Sequence, residues 1–321
     1  MPAFPKPQTQ FDYDPQSEIN NLKNFRDAEP GRAIPPKSNN HILIATWNIA
    51  NFGLQQRRDE DYELISAIIS WFDIVGIQEV NDNLEGLRKA QSFLPSSYKA
   101  VFNDKAGNDE RTTFLYDESK ISKLEMIGEV AVAPSQVRHI KLPGISRKYV
   151  GFDRNPYFVS FQAGNFKFVV ANVHLFFGKD TTADQERRAL EAYAVSRWGD
   201  LRRDDAHRYS DNFLVLGDFN LPKYEPGDLI YEALRRRGLR RPQHSTRVIS
   251  NISDDKEYDQ IFFFPEPTKT RYTGQMGIFD FDTTVFPQLW QRFGGNKVKF
   301  NSYLRYYLSD HRPLWAQFRI N

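Results

Sequence analysis

Polar side chains suited to metal binding or proton transfer close most of the apolar, strand-like runs of this chain. A β-strand buries its apolar body and can project the residue that ends it into a shared cleft, so we expect these side chains to meet. Oxygen ligands together with two histidines suit a hard divalent cation and a phosphate ester. The residues are Asn48 in ATWNIANFG, Glu79 in FDIVGIQEV, His174 in FVVANVHLF, Asp218 and Asn220 in FLVLGDFNLP, Asp259 in EYDQIFFF, and Asp310 with His311 in YYLSDHRPLW.

The segments GDFN and SDHRP carry the most specific chemistry. Because Asp218 and Asn220 are next-but-one neighbours, their side chains point to the same side of an extended segment. The carboxylate can orient or deprotonate a water molecule while the amide donates to a phosphate oxygen. In SDHRP, Asp310 can bind a metal, and His311 as imidazolium can meet a developing negative oxygen. Together these groups predict hydrolysis of a phosphodiester.

The oxygen-rich set also predicts which metal the site takes. Mg²⁺ prefers few protein oxygens and several water molecules, so Glu79 and Asp310 with help from Asn48 are sufficient. Zinc would require more nitrogen or sulfur ligands. We therefore expect Mg²⁺, with Mn²⁺ and Ca²⁺ as alternatives, and the residues are compatible with one or two ions.

Each residue taken singly also has a structural explanation. An Asp or Asn at a strand end often caps a helix or forms a turn, and His174 in an apolar strand is typical of a core histidine. Independent caps, however, have no reason to fall at the ends of several core strands. The set as a whole therefore favours one functional site.

Composition bounds the class of protein. The 321 residues are 40% apolar, enough to fill the core of one large domain. A formal net charge of +2 does not by itself identify a nucleic-acid-binding protein. The absence of Cys excludes disulfides and favours a cytoplasmic protein, although secretion is compatible with a removed signal peptide. No run approaches the ~20 apolar residues of a membrane span, and we expect a monomer.

The chain divides into an N-terminal extension and one domain. Residues 1–40 are polar and Pro-rich and predict an extension or linker with a short helix around Ile19–Phe25, whereas 41–321 predict the domain. A β–α–β opening is followed by hairpin strands, YVGF among them, then by the long helix DQERRALEAYAVSRWGDLRR and a second β–α–β pattern. Two mixed sheets packed face to face seat all these strands. The expected fold class is α/β (α+β), a four-layer α/β/β/α sandwich with helices outside.

The motifs TWNI, IQEV, a His that ends a core strand, GDFN, YDQI and SDH, in this order, resemble the endonuclease/exonuclease/phosphatase superfamily. The resemblance covers roughly Ile42 to Phe318. Four further stretches, WFDIVGIQEVNDN, NDERTTFLYD, FDRNPYFVSF and GIFDFDTTVF, resemble the deoxyribonuclease-I-like branch. The resemblance implies that branch's fold and a metal-dependent phosphodiester hydrolase.

The resemblance also implies roles for individual residues. They comprise metal ligands, two histidines with supporting carboxylates, a pair that positions water and phosphate, and an arginine that contacts substrate phosphates. In that order they are Glu79 with Asn48 and Asp310; His174 with Glu110; His311 with Asp259; Asp218 with Asn220; and Arg154.

The sequence departs from the branch's pattern at two positions that concern DNA. Asn108 stands where a tyrosine stacks in the minor groove, and Asn81 stands where an arginine follows QEV. These departures weaken the expectation of that enzyme's mode of groove reading.

Basic and aromatic clusters bear on the substrate. The stretch RRRGLRRPQHSTR is expected near the cleft, where Arg235 and Arg240 would bind substrate phosphates; the alternative is a solvated basic helix end. Two interpretations are open for a second basic loop and for three tyrosines before SDH. Either group contacts the nucleic-acid strand, or it has a structural role, the loop on the surface and the tyrosines in the core. The clusters are Arg235, Arg236, Arg237, Arg240, Arg241 and Arg247; Arg138, His139, Lys141, Arg147 and Lys148; and Tyr303, Tyr306 and Tyr307.

Three functions are compatible with the sequence. The first is an Mg²⁺-dependent endonuclease that cuts DNA, and RNA as an alternative, with low sequence specificity. The second is a phosphatase or phosphodiesterase of the same fold acting on an inositol phosphate, a phospholipid head group or another small ester. The third is a non-catalytic nucleic-acid-binding module, against which the complete set of catalytic residue types argues.

Overall fold

Eleven strands form two sheets in the computed structural model, which describes residues 3–28, 32–179, 181–244 and 248–321. The first sheet has the order β10–β11–β1–β2–β4–β3 and the second the order β5–β6–β7–β8–β9. The first contains β1 (His41–Phe52), β2 (Ile74–Asn81), β3 (Tyr98–Phe102), β4 (Glu110–Asp117), β10 (Tyr272–Ile278) and β11 (Leu314–Arg319). The second contains β5 (Ser122–Glu129), β6 (Tyr157–Ala163), β7 (Phe166–His174), β8 (Phe213–Asp218) and β9 (Asp259–Phe263).

The helices of the described residues connect and cover the sheets. Longest among them is α5 (Thr182–Arg203), which begins at the side chain of Thr181 accepting the N–H of Asp184. The others are α1 (Pro15–Ala28), α2 (Asp59–Ile69), α3 (Glu85–Ser92), α4 (Pro134–Val137), α6 (Leu229–Arg235), α7 (Pro265–Thr268), α8 (Pro287–Arg292) and α9 (Lys297–Tyr307).

Strand alternation sorts the apolar side chains into layers. On β1, Ile42 and Ile44 enter the cluster between the two sheets, whereas Leu43 and Ala45 enter the cluster under the helices of the first sheet. The same alternation on β8 divides its side chains between the inter-sheet cluster and a third cluster under α5 and α6. Three apolar clusters separate four layers, so the predicted four-layer α/β/β/α sandwich is confirmed.

The N-terminal extension packs on this sandwich. Leu22 and Ile19 of α1 are buried in the same cluster as the helix-facing side of β1, and Glu18 accepts the backbone N–H of Phe286 at 2.9 Å. The predicted short helix around Ile19–Phe25 lies within α1. Buried apolar side chains of α1 therefore anchor this segment to the domain.

The predicted strand YVGF is wrong. Residues 149–152 lie in irregular structure between α4 and β6. Gly151 has φ of +110°, a left-handed conformation that interrupts an extended run. Tyr149 is nevertheless buried under α5, which explains the apolar pattern.

Among the described residues, no helix has the length and apolar character needed to cross a bilayer.

Candidate active site

The site residues continue the inter-sheet faces of their strands. Parallel pairing sets His174 beside Asp218 at the ends of β7 and β8, and antiparallel pairing sets Asp218 opposite Asp259. Asp218 follows Leu214 and Leu216 on the face that packs between the sheets, and period-two alternation turns its carboxylate to the same side. Asn48 does the same after Ile42 and Ile44. The two sheets thus open at one end onto a common polar cluster.

Left-handed backbone conformations orient two of these side chains and also occur at one glycine. Glu79 has φ of +60° at an irregularity in the β2 ladder, and Asn220 has φ of +49° just after β8. Gly217 has φ of +133°, and a Cβ there would lie 2.0 Å from the Val173 carbonyl oxygen. Only glycine fits that position, which explains the first residue of GDFN.

His174 forms one imidazole–carboxylate pair. Its Nδ1 lies 2.7 Å from Glu110 Oε1, and the Arg154 guanidinium approaches the same oxygen at 2.9 Å. Burial and the Arg154 charge oppose protonation, but Glu110 and Asp218 outweigh them and raise the pKa of His174. Burial works to raise the pKa of Glu110, yet His174 and Arg154 together lower it. The carboxylate therefore stays ionised behind the ring.

Arg154 itself faces the protein. Its Nε and Nη2 donate to the carbonyl oxygens of His174 and Leu175 at 2.9 and 2.8 Å, and its Nη1 lies 3.3 Å from Asp153. The side chain is buried. In this arrangement Arg154 fixes the end of β7, and direct contact with a substrate phosphate stays a prediction.

His311 forms the second imidazole–carboxylate pair. Its Nδ1 lies 2.7 Å from Asp259 Oδ2, and the Tyr258 ring stacks on the imidazole with centroids 5.8 Å apart. Burial opposes the charged ring, but Asp259, Asp218 and Asp310 raise the pKa of His311 well above its ordinary value. Burial raises the pKa of Asp259 to about 6, against the lowering effect of His311. Ser309 ties this segment to β1, since its hydroxyl donates to the Asn48 carbonyl and accepts the His311 N–H.

Asp218 lies between the two pairs. Its Oδ2 is 3.7 Å from His174 Nε2 and 3.9 Å from His311 Nε2, and it accepts a 3.0 Å hydrogen bond from Asn48 Nδ2. Burial alone would raise the pKa of Asp218, but the two imidazoles reverse the direction and lower it. A buried, ionised carboxylate between two proton-bearing rings can hold a water molecule and accept its proton.

Asn220 completes the GDFN pair. Its backbone N–H donates to Asp218 Oδ1 at 2.8 Å, and its side-chain amide donates to the Leu175 carbonyl at 2.7 Å. The strand ends of β7 and β8 are thereby locked together at the site.

The predicted metal ligands fit a divalent cation. Asn48 Nδ2 donates to Glu79 Oε1 at 3.0 Å, whereas Asn48 Oδ1 is buried without a hydrogen-bond partner among the described residues. Burial, with Glu110 and Asp310 adding to it, raises the pKa of Glu79. Burial disfavours the charge of the Glu79 carboxylate, and the Asn48 amide oxygen lies beside it. Both are hard oxygen donors, so a bound divalent cation would stabilise them. A further set of metal-compatible ligand atoms, from Asp218, Asp259 and His311, lies within 4.8 Å of one another.

A polar layer beneath the site was not anticipated from the sequence. Gln78 Nε2 donates to Thr46 Oγ1 at 3.0 Å and to Asn172 Oδ1 at 2.6 Å, and Asn172 Nδ2 reaches the carbonyls of Ile77 and Thr113. The layer bridges the two sheets between the apolar core and the catalytic groups. The signal was present, because Thr46 and Asn172 stand two residues before Asn48 and His174 on the same face.

Three side chains of α5 form a clamp that was also not predicted from the sequence. Buried Glu191 accepts the backbone N–H of Phe176 at 3.0 Å and that of Asp153 at 3.1 Å. Arg187 Nη2 donates to Asp153 Oδ1 at 2.9 Å, and Arg188 Nη1 donates to the Asn220 carbonyl at 3.0 Å. This clamp therefore positions the loops that carry both Arg154 and the end of β7.

The arginine stretch lies away from the site. Arg240 pairs with Phe263, at the end of β9 opposite Asp259, and four residues of strand span about 13 Å. Its Nη1 donates to the carbonyl of Arg235, whose guanidinium lies over the Tyr231 ring. The expectation that these two arginines lie near the cleft is wrong, because β9 runs away from the site, from Asp259 to Phe263, and Arg240 pairs at its far end.

Other members of the basic stretch have protein partners or lie elsewhere. Arg237 pairs with Asp200 at 3.0 Å and Arg241 with Glu257 at 3.0 Å. Arg247 lies outside the described residues.

The remaining clusters divide between surface and core. Arg147 of the second basic loop donates to the Ala183 carbonyl at the start of α5, and strand gripping by this loop stays a prediction. The tyrosines before SDH are buried in the core cluster of the first sheet, which confirms the structural interpretation; they are Tyr303, Tyr306 and Tyr307.

The fold is that of endonuclease/exonuclease/phosphatase proteins, as the motifs predicted. A solved structure of a protein of that family from Bacteroides thetaiotaomicron aligns with a TM-score of 0.58 at 18% identity, covering 88% of this chain and 95% of that one. A mannosyl-6-phosphatase from Bacteroides thetaiotaomicron VPI-5482 aligns with a TM-score of 0.54 at 17% identity, covering 86% and 99%. In sequence, the chain is 23% identical over 299 residues to a deoxyribonuclease from Thioalkalivibrio sp. (strain K90mix), covering 90% of this chain and 74% of that protein. No protein-family model matches the chain.

Proposed function

We propose that the protein is an Mg²⁺-dependent phosphodiester hydrolase, and specifically a DNA endonuclease of low sequence specificity. The observation that carries the proposal is the position of Asp218 Oδ2, 3.7 Å from His174 Nε2 and 3.9 Å from His311 Nε2. The similarity to the Thioalkalivibrio deoxyribonuclease supports DNA as the substrate.

The groups of the chain divide the chemistry between them. Asp218 holds the attacking water and accepts its proton as the new oxygen–phosphorus bond forms in line with the breaking phosphorus–oxygen ester bond. The imidazolium of His311, oriented by Asp259, donates to a non-bridging phosphoryl oxygen, where negative charge develops. The imidazolium of His174, held by Glu110, supplies the proton that the leaving alkoxide requires.

A divalent cation would be held by Glu79, Asn48 and Asp310. When bound, it would neutralise phosphate charge and polarise the phosphoryl group. The buried, unpartnered Asn48 Oδ1 and the raised pKa of Glu79 are the features of the chain that favour it.

Nicking of supercoiled plasmid tests the proposal. With Mg²⁺ we expect open-circular product, and its formation should stop with EDTA and in His174→Ala. Plasmid that stays supercoiled in the presence of folded wild-type protein and Mg²⁺ would contradict the nuclease assignment. A folded His174→Ala variant that nicks at the wild-type rate would contradict the catalytic role of the ring.

A small phosphate ester is the second candidate substrate. The observation that favours it is Asn81, which pairs with Glu110 in the β2–β4 ladder, at the position where the resemblance to the deoxyribonuclease-I-like branch implies an arginine. The fold also supports a mannosyl-6-phosphatase. Release of phosphate from such an ester beside intact plasmid would select this function.

A further inference from the structure

A groove along α9 opens beside the catalytic centre. One cavity of about 450 Å³ is lined by Asp310 and by Lys297, Asn301 and Arg305 of α9. A neighbouring cavity of about 410 Å³ shares Lys297 and Asn301 and ends at Trp290. The two cavities therefore adjoin at Lys297 and Asn301, with a proposed metal ligand in the wall of one and an aromatic side chain in the wall of the other.

The cations of the groove follow one face of α9. Lys297, Asn301 and Arg305 stand four residues apart, so they lie on one side of the helix, and eight residues span about 12 Å. Lys297 is half-exposed in an ion pair with Asp254 at 2.6 Å. Such exposed pairs contribute little to stability, so Lys297 can exchange Asp254 for another anion at small cost. Arg305 lies over the Phe4 ring at 4.1 Å, which holds its guanidinium beside the groove.

Trp290 provides an exposed aromatic surface at the far end. Its side chain is 39% exposed, whereas Trp47, Trp71 and Trp315 are buried. Phe300 supports it edge-on with ring centroids 5.3 Å apart. An exposed indole on a packed support is the kind of platform on which nucleobases stack.

We propose that this groove binds the nucleic-acid strand next to the scissile phosphate, with Lys297 and Arg305 contacting its phosphates and Trp290 stacking on a base. The inference rests on the proposed nuclease function and names a binding subsite for it. The cations Lys297 and Arg305 favour a polyanionic strand over an uncharged ligand. The carboxylates of Asp254 and Asp282 in the second cavity are held in ion pairs with Arg312.

The test compares two lysines of the same helix. Lys297 lines both cavities, whereas exposed Lys299 lines neither, so Lys299→Ala is a matched control for Lys297→Ala. Lys297→Ala should raise KM for Mg²⁺-dependent DNA cleavage and lower the slope of log KM against log salt by about one. Trp290→Ala should raise KM by about tenfold, the loss of one stacked base. Lys299→Ala should behave like the wild type.

A short chromogenic diester, bis(4-nitrophenyl) phosphate, separates the subsite from the reaction centre. Each of its arms extends one aryl ring from the phosphate, whereas the groove follows α9 for about 12 Å, so both groove variants should lose more on DNA than on the ester. Equal losses on the two substrates, or an unchanged KM for DNA in both variants, would overturn the groove assignment while leaving the nuclease assignment intact. A wild-type protein that hydrolyses the ester but leaves DNA intact would instead overturn the proposed function, and the subsite with it.

Discussion

The two imidazole–carboxylate pairs have the same geometry but different electrostatic surroundings. Each carboxylate oxygen lies 2.7 Å from a ring Nδ1. Glu110 also faces the guanidinium of Arg154, whose Nε lies 2.9 Å from the carboxylate oxygen. Asp259 is fully buried and opposite Asp218, and its pKa is raised to about 6.

The difference shows where each pair obtains its charge balance. On the Glu110 side, a fixed cation offsets the carboxylate, whatever the protonation of His174. On the Asp259 side, three carboxylates act on one ring, and the proton of His311 is the balancing charge. The carboxylate of the first pair therefore has a second cation, Arg154, to balance it, whereas the second pair relies on the proton of His311.

Removing the carboxylate shared by both pairs should have the largest effect. Asp218→Ala removes the proton acceptor and one charge that supports each imidazolium, so we expect kcat for plasmid nicking to fall at least about 10³-fold. The measurement is the initial rate in Mg²⁺, with circular dichroism to establish that the variant is folded. A folded variant within tenfold of the wild type would remove Asp218 from the reaction.

Replacing either ring should follow closely. His311→Ala should lower kcat by about 10²- to 10⁴-fold while the thermal unfolding transition is retained, because the ring lies outside the three apolar clusters of the core. His174→Ala should cost a similar factor in kcat. Unfolding of His311→Ala in the same assay conditions would show that the ring is structural.

Neutralising the supporting carboxylates would sharpen the contrast between the pairs. In Glu110→Gln, His174 keeps the Arg154 charge that lowers its pKa but loses the anion that offsets it. In Asp259→Asn, His311 keeps Asp218 and Asp310, which both raise its pKa. Both substitutions remove an anion and so lower the imidazole pKa, and the lower pKa of the two variants should be that of His174, because it keeps the opposing Arg154 charge whereas His311 keeps two supporting carboxylates. NMR titration of the two rings in metal-free protein measures this, and an equal or reversed order would break the comparison.

The convergence of the site was predictable because strand alternation is local. His174 and Asp218 end their strands, and Asn48 lies within the last part of β1. The apolar side chains of these strands fix the inward face, so sequence period alone places the three polar groups. The left-handed conformation of Glu79 needed the structure, since nothing in IQEV requires a positive φ. The arginine stretch failed for the opposite reason. Its position depends on how far α6 and the returning chain travel along the sheet, which local pattern does not encode.

Glu191 was missed because it lies mid-helix, far from any strand end. Its burial raises its pKa to about 7, while the N–H groups of Phe176 and Asp153 and the charge of Arg187 oppose the shift. Since the folded-state pKa exceeds that of the unfolded chain, the folded protein binds the proton more tightly between about pH 4.5 and pH 7. The contribution of this group to stability therefore falls as the pH rises through that window, by on the order of 3 kcal/mol.

Glu191→Gln tests the clamp with the smallest expected effect on activity. Glutamine offers one acceptor oxygen where the carboxylate offers two, so one of the two loop N–H groups loses its partner, and we expect kcat to fall only several-fold. Chemical denaturation at pH 5 and pH 8 measures the stability effect. The free energy of unfolding of the wild type minus that of the variant should be larger at pH 5 than at pH 8, because only the wild type takes up the proton. A stability difference that is constant with pH would show that Glu191 does not titrate in this window, and the clamp would then act through its hydrogen bonds to the two loops without a change of protonation.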